Sequence, residues 1–129
     1  MDTQYMVGNI KTVEMAGIEV PFREWNDFQV LTLSDIDKIH NRADGSAKRC
    51  FLSNKDRYEE DIDYYKCDHI AAKEYFHIIA PNGLYLLTMG GYLHLLKSWD
   101  DDISWKMYRY IINVIIKDIN VFDIAINNR

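Results

Sequence analysis

The sequence predicts an α+β fold in which a small antiparallel sheet is followed by a helix-turn-helix and closed by a long C-terminal helix. Three observations predict it. The first third reads as short extended runs broken by turn signals, residues 38–57 read as helix, turn and helix, and Ile103, Met107, Tyr110, Ile111, Val114, Ile115 and Ile119 recur at helical spacing. One domain spanning residues 1–129 is the simplest organisation for a chain of 129 residues, which is long enough to bury a core. Hydrophobic content of 48% and charged content of 27% are those of a globular protein rather than a disordered one.

Along the chain, TVEMAGIEVPF (Thr12 to Phe22) carries apolar residues on both sides of Gly17, whose permissive backbone suits a tight hairpin turn. Pro21 fits a strand end or edge, where no backbone donor is needed. Trp25, Asn26 and Asp27 mark a second turn and Phe28 to Leu33 is extended again, so a sheet of two or three strands is expected. Ser34 reads as an N-cap, with Asp35 and Asp37 in the first turn, where negative charge suits the helix dipole. Leu33, Ile36 and Ile39 give the buried stripe of a short helix ending near His40. Asn41 to Gly45, NRADG, is turn chemistry. Ser46 caps a second helix running to about Tyr58, with Ala47, Cys50 and Phe51 inward. EEDID is a loop and Tyr64 to Cys67 a short strand, while Ile70 to Ile79 is open between a short helix and an irregular segment. Pro81-Asn82-Gly83 is a turn and Leu84 to Leu87 a strand. The C-terminal helical region, 88–119, begins with Thr88 capping MGGYLHLLKSW, whose paired glycines lower helix propensity and suit close packing. Asp100 to Asp102 open the longest helix, and the tail INNR reads as frayed.

Charge is unevenly placed. KIHNRADGSAKRCFLSNKDR, residues 38–57, holds six basic residues (Lys38, Arg42, Lys48, Arg49, Lys55, Arg57) against Asp44 and Asp56. That is +4 within a chain of −5, which leaves −9 on the other 109 residues. Such asymmetry gives one face a positive potential, the footprint of a nucleic-acid surface, while the acidic total argues against indiscriminate coating. Placed in a major groove, the helix 46–58 would bring Ser46, Lys48, Arg49 and Asn54 toward base edges. Arg and Lys suit guanine there, and Asn suits adenine. Lys55 and Arg57 suit phosphates, with Arg42 approaching from the turn. The plainer alternative is a solvated helix whose cations pair with EEDID or another acidic loop.

Catalytic patterns are weak. His40, His69, His77 and His94 have no metalloprotease spacing, Gly90-Gly91 lacks the Lys-Ser/Thr of a phosphate loop, and Asp100 to Asp102 cap a helix more readily than they hold a metal. Cys50 and Cys67 lack metal-ligand spacing. The chain reads as a non-enzyme with no cofactor and no metal. The N-terminus has no signal-peptide pattern, and the richest apolar run, YIINVIIKDINVF, is broken by Lys117 and Asp118. A cytoplasmic protein with reduced thiols and no membrane contact is expected. YRYIINVII (Tyr108 to Ile116) is apolar around much of its circumference. That suggests a homodimer through Tyr108, Ile111, Ile112 and Ile115, which would present two basic helices to a symmetric site. An ordinary core stripe is the alternative.

Two segments, GIEVPFREWNDFQVLTLSDIDKIHNR and GSAKRCFLSNKDRYEEDIDYY, resemble the N-terminal domains of phage antirepressors and regulators, in particular the ORF-six N-terminal domain and its KilA-N and BRO-N relatives. GLYLLTMGGYLHLLKSWDDDISWKMYRYIINVII is similar to the segment that often closes such domains, and the resemblance covers roughly residues 8–118. It implies a winged-helix-like, DNA-binding or antirepressor role in a phage or prophage, hence in the cytoplasm of a bacterial host. What it implies for single residues is limited to Arg42, Lys48, Arg49, Asn54, Lys55 and Arg57. Beside a transcriptional regulator that binds duplex DNA stands a second class of function. The acidic total and the nine tyrosines also suit an antagonist that occupies a host or phage protein partner. RNA binding through the same helix is a third possibility.

Overall fold

Two tight turns set the first three strands. β1 (Ile10–Met15) and β2 (Ile18–Trp25) pair antiparallel with Met15 opposite Ile18, so Ala16 and Gly17 alone connect them, at φ 54° and 78°. β3 (Phe28–Thr32) repeats the device: Trp25 faces Phe28, and Asn26 and Asp27 turn the chain at φ 50° and 68°. Two successive positive φ angles make the hairpin turn whose twist matches that of its strands, which is why Gly17 and the Asn-Asp pair were informative. The structure, a computed structural model, describes residues 10–119, with side chains to residue 117. The reading of the tail and the side chain of Ile119 lie outside the described residues.

The sheet is larger than the expected two or three strands. β4 (Tyr64–Cys67) and β5 (Leu84–Leu87) join it in the order β1-β2-β3-β5-β4, all neighbours antiparallel. Leu86 and Leu87 are both fully buried although they point to opposite faces, which requires an inner strand covered on both sides. Strand alternation divides the core accordingly. Leu31, Tyr64 and Leu87 face one cluster, and Val30, Cys67 and Leu86 face the other.

Five α-helices cover the two faces: α1 (Leu33–Ile39), α2 (Ser46–Ser53), α3 (His69–Phe76), α4 (Met89–Lys97) and α5 (Asp102–Ile119). Ile36 of α1, Phe51 of α2, Tyr92 and Leu95 of α4, and Met107 and Ile111 of α5 fill the larger cluster. Among the described helices, only α3 supplies the smaller one, through Ala72 and Phe76. The ambiguous segment is therefore a helix, started by Asp68 accepting from the Ala71 amide at 2.8 Å. It is stopped by His77 at φ 58°, after which the Ile78 amide returns to the Ala72 carbonyl.

Three helix boundaries differ from the sequence reading. Thr32, not Ser34, caps α1, its hydroxyl accepting from the Asp35 amide at 3.0 Å. Gly45, at φ 89°, stands at the N-cap of α2, so Ser46 is already inside the helix. α2 also stops at Ser53 rather than near Tyr58, and Lys55–Arg57 form a separate 3-10 turn. Asn54 explains the stop: its amide nitrogen donates to the Cys50 carbonyl at 3.0 Å, satisfying a last-turn group from the side chain. Pro21, expected at a strand end or edge, lies inside β2 opposite Thr12 of β1. Thr88 caps α4 through the Gly91 amide at 3.2 Å, and a Cβ at Gly91 would collide with the Asp63 carbonyl oxygen. No helix among the described residues is long and apolar enough to cross a membrane.

Candidate nucleic-acid interface

α2 is held in place by α1. Asp37, 2% exposed, accepts from the amides of Gly45 at 2.9 Å and Ala47 at 2.8 Å. A buried carboxylate thus satisfies two of the orphan donors at the start of α2, a task Ser46 was expected to perform. Asp35 is equally committed, forming a 2.8 Å ion pair with Arg23 that ties β2 to α1. At its inner face α2 is fixed by Phe51, which packs edge-on against Tyr58 and Tyr64 and tilted against Tyr85, ring centroids 4.8–5.1 Å away.

The outer face carries cations. Lys48 and Arg49 on α2, and Lys55 and Arg57 on the 3-10 turn, are exposed. Among the described residues none of the four has a carboxylate within 4.0 Å. Within the EEDID segment, which could have neutralised them, the buried Asp63 is committed to other partners. It accepts from the Glu59 amide at 2.8 Å and lies 3.3 Å from His94 Nε2. Beside Lys48, a cleft of about 240 Å³ opens between the start of α2 and the strand residues Leu84 and Tyr85, with the exposed Asp44 on its wall. Lys55 and Lys66 place their ammonium groups 5.7 and 5.1 Å from the Tyr85 ring centre.

The other expected contacts have structural partners. Arg42 lies 3.8 Å over the Trp99 ring, pairs with Asp101 at 3.0 Å and donates to the Ser46 hydroxyl at 3.3 Å. It clamps the turn between α1 and α2 onto the start of α5. Ser46 is occupied by Arg42, and Asn54 closes α2. The structure therefore brings Lys48 and Lys55 together around Tyr85 and leaves Arg49 and Arg57 free, whereas Arg42, Ser46 and Asn54 serve the fold. Lys66 and Tyr85 were missed because they sit on short strands distant in sequence from the basic stretch. Only the strand register places them beside it.

His40 is a core group. It is 3% exposed, and burial above all pushes its pKa down to about 4, with Asp101 and Asp37 raising it and Arg42 lowering it by smaller amounts. Ser104 donates its hydroxyl to Asp101 at 2.7 Å, so toward His40 Nδ1, 3.3 Å away, it can only accept. His40 therefore carries its proton on Nδ1, and Nε2 accepts from the Tyr92 hydroxyl at 2.6 Å. The chain Tyr92–His40–Ser104–Asp101 is fully satisfied with a neutral imidazole. Ser104 is 0% exposed, so a Ser-His pairing here has no access to a substrate. At Asp101 burial works to raise the pKa, but hydrogen bonds from Ser104 and Arg42 outweigh it and hold the carboxyl down to about 2. Among the described residues no three His, Cys, Asp or Glu side chains gather as a metal site.

On α5, Ile111 is 3% exposed and belongs to the core, with Tyr108 and Ile115 half-buried against it. A second apolar line runs along the helix at Trp105, Tyr108, Ile112 and Ile116, spaced i, i+3, i+7 and i+11, with Trp105 57% and Ile116 47% exposed. Trp105 was missed, although this spacing is visible in the sequence. Compared with protein-family models, with curated proteins and with solved structures, the chain matches none.

Proposed function

We propose that the chain is a duplex-DNA-binding regulator of the phage antirepressor type, in which α2 approaches the major groove and Lys48, Arg49, Lys55 and Arg57 meet DNA. The observation that carries this reading is the set of exposed cations without carboxylate partners among the described residues, on α2 and the 3-10 turn after it, with α2 held at its start by Asp37 and along its inner face by Phe51. A positive ridge on a rigid element, within a chain of net charge −5, suits oriented rather than indiscriminate binding. Lys48 and Arg49, nearest the start of the helix, are the candidates for base edges, and Lys55 and Arg57 for phosphates. The Trp105–Ile116 line of α5 supports a homodimer, which would offer two copies of the ridge to a symmetric site.

The test is binding of purified protein to mixed-sequence duplex DNA across a salt series, beside the double variant Lys48→Glu/Arg49→Glu. Wild-type affinity is expected to fall steeply with salt, and the variant to lose most of that binding. If the wild type fails to bind at low salt, the DNA reading is wrong. The function then passes to the protein-antagonist class, with α2 reread as a solvated face.

A further inference from the structure

We infer that the DNA surface does not end with α2 but continues onto the edge of the sheet, where Lys66 and Tyr85 form a backbone-phosphate contact. β4 is the edge strand, and Lys66 lies directly opposite Tyr85 on β5. Strand alternation sends both to the same face as Tyr64, the face on which α2 packs. The Tyr85 ring is the joint between the two parts. Its centroid lies 5.0 Å from that of Phe51 in α2, and it carries the Lys55 ammonium at 5.7 Å and the Lys66 ammonium at 5.1 Å.

Two ammonium groups on one ring are thereby held at most about 11 Å apart and form one local patch of positive charge. Neither has a carboxylate partner among the described residues. The Tyr85 hydroxyl makes no hydrogen bond to any described residue and reaches solvent. An anion approaching the ring meets this positive patch and gives the hydroxyl an acceptor. The phosphodiester group of a duplex lying on α2 has that chemistry. Lys48 and Tyr85 line one cleft, with Asp44 also on its wall, so helix and strand residues border the same surface. The inference rests on the DNA-binding reading and adds to it a strand-borne contact outside the basic segment.

The experiment compares Lys66→Gln, Tyr85→Phe and Lys48→Glu/Arg49→Glu with wild type on the same duplex at several salt concentrations. Lys66→Gln is expected to weaken binding several-fold, equally on unrelated sequences, and to reduce the salt slope by about 1. Tyr85→Phe is expected to weaken binding with the slope unchanged. Denaturation curves matching wild type would show that both variants fold. Wild-type affinity and slope in both variants, alongside loss of binding in Lys48→Glu/Arg49→Glu, would overturn this inference and leave the α2 reading standing. No duplex binding by the wild type would overturn both.

Discussion

Asp37, near the end of α1, accepts a hydrogen bond from the amide of Ala47 in the first turn of α2, 2.8 Å away. With the companion bond from Gly45, one buried carboxylate fixes the angle at which α2 leaves the turn. The position of the cationic ridge therefore depends on a residue that carries no part of it. Asp37→Ala leaves two amides without acceptors, and the expected loss is about 2–3 kcal/mol of unfolding free energy. Asp37→Asn, which keeps an acceptor oxygen, should lose less. Urea denaturation decides: an alanine variant within about 0.5 kcal/mol of wild type, the range of an ordinary surface change, would show that α2 holds its own start.

Arg42 separates structural from binding roles. Its guanidinium stacks on Trp99 and pairs with a partly exposed Asp101, so the ion pair adds little and the stacking more. Arg42→Ala is expected to cost about 1–2 kcal/mol of stability. Arg42→Lys should recover only part of it, because an ammonium lacks the planar face. A double-mutant cycle with Trp99→Leu tests the assignment. Independent, additive effects would mean that the two side chains do not interact.

The buried imidazole of His40 makes stability depend on pH. Its pKa is about 4 in the folded chain against 6.5 when free, so between those values the unfolded chain binds the proton and the folded one does not. Stability is complete above pH 6.5 and falls as pH drops toward 4, by about 3 kcal/mol in all. Unfolding curves at pH 7 and pH 4.5 for wild type and His40→Gln check this. The variant should lose most of the pH dependence in that window. Equal slopes for the two proteins would remove His40 as the cause.

Much of the fold was legible because it is written in local chemistry. Gly17 and Asn26-Asp27 announced the hairpins, Thr88 announced α4, and the Ile spacing announced α5. What failed was decided by contacts distant in sequence. Ser34 and Ser46 are good cap types, yet Thr32 and the remote Asp37 took those roles. The basic helix ended early because Asn54 satisfied its own turn, a competition that residue type alone leaves open. The same limit applies to the candidate site. Lys48, Arg49, Lys55 and Arg57 could be found as a charge run, but Lys66 and Tyr85 enter only through the pairing of β4 with β5. Arg42 belongs to the same run, and Trp99 and Asp101 claim it for the fold.

The most direct test of the central claim is the salt dependence of duplex binding for three proteins. They are wild type, Lys48→Glu/Arg49→Glu, and the charge-matched control Lys11→Glu/Lys73→Glu, whose exposed lysines lie on β1 and on α3. Wild type and control are expected to share a steep slope, while the α2 variant binds at least about tenfold more weakly and loses about 2 from that slope. Equal losses in both variants would make net charge, and not the α2 ridge, the source of binding. That result, or the absence of any wild-type binding at low salt, would rule out α2 as the DNA-binding surface.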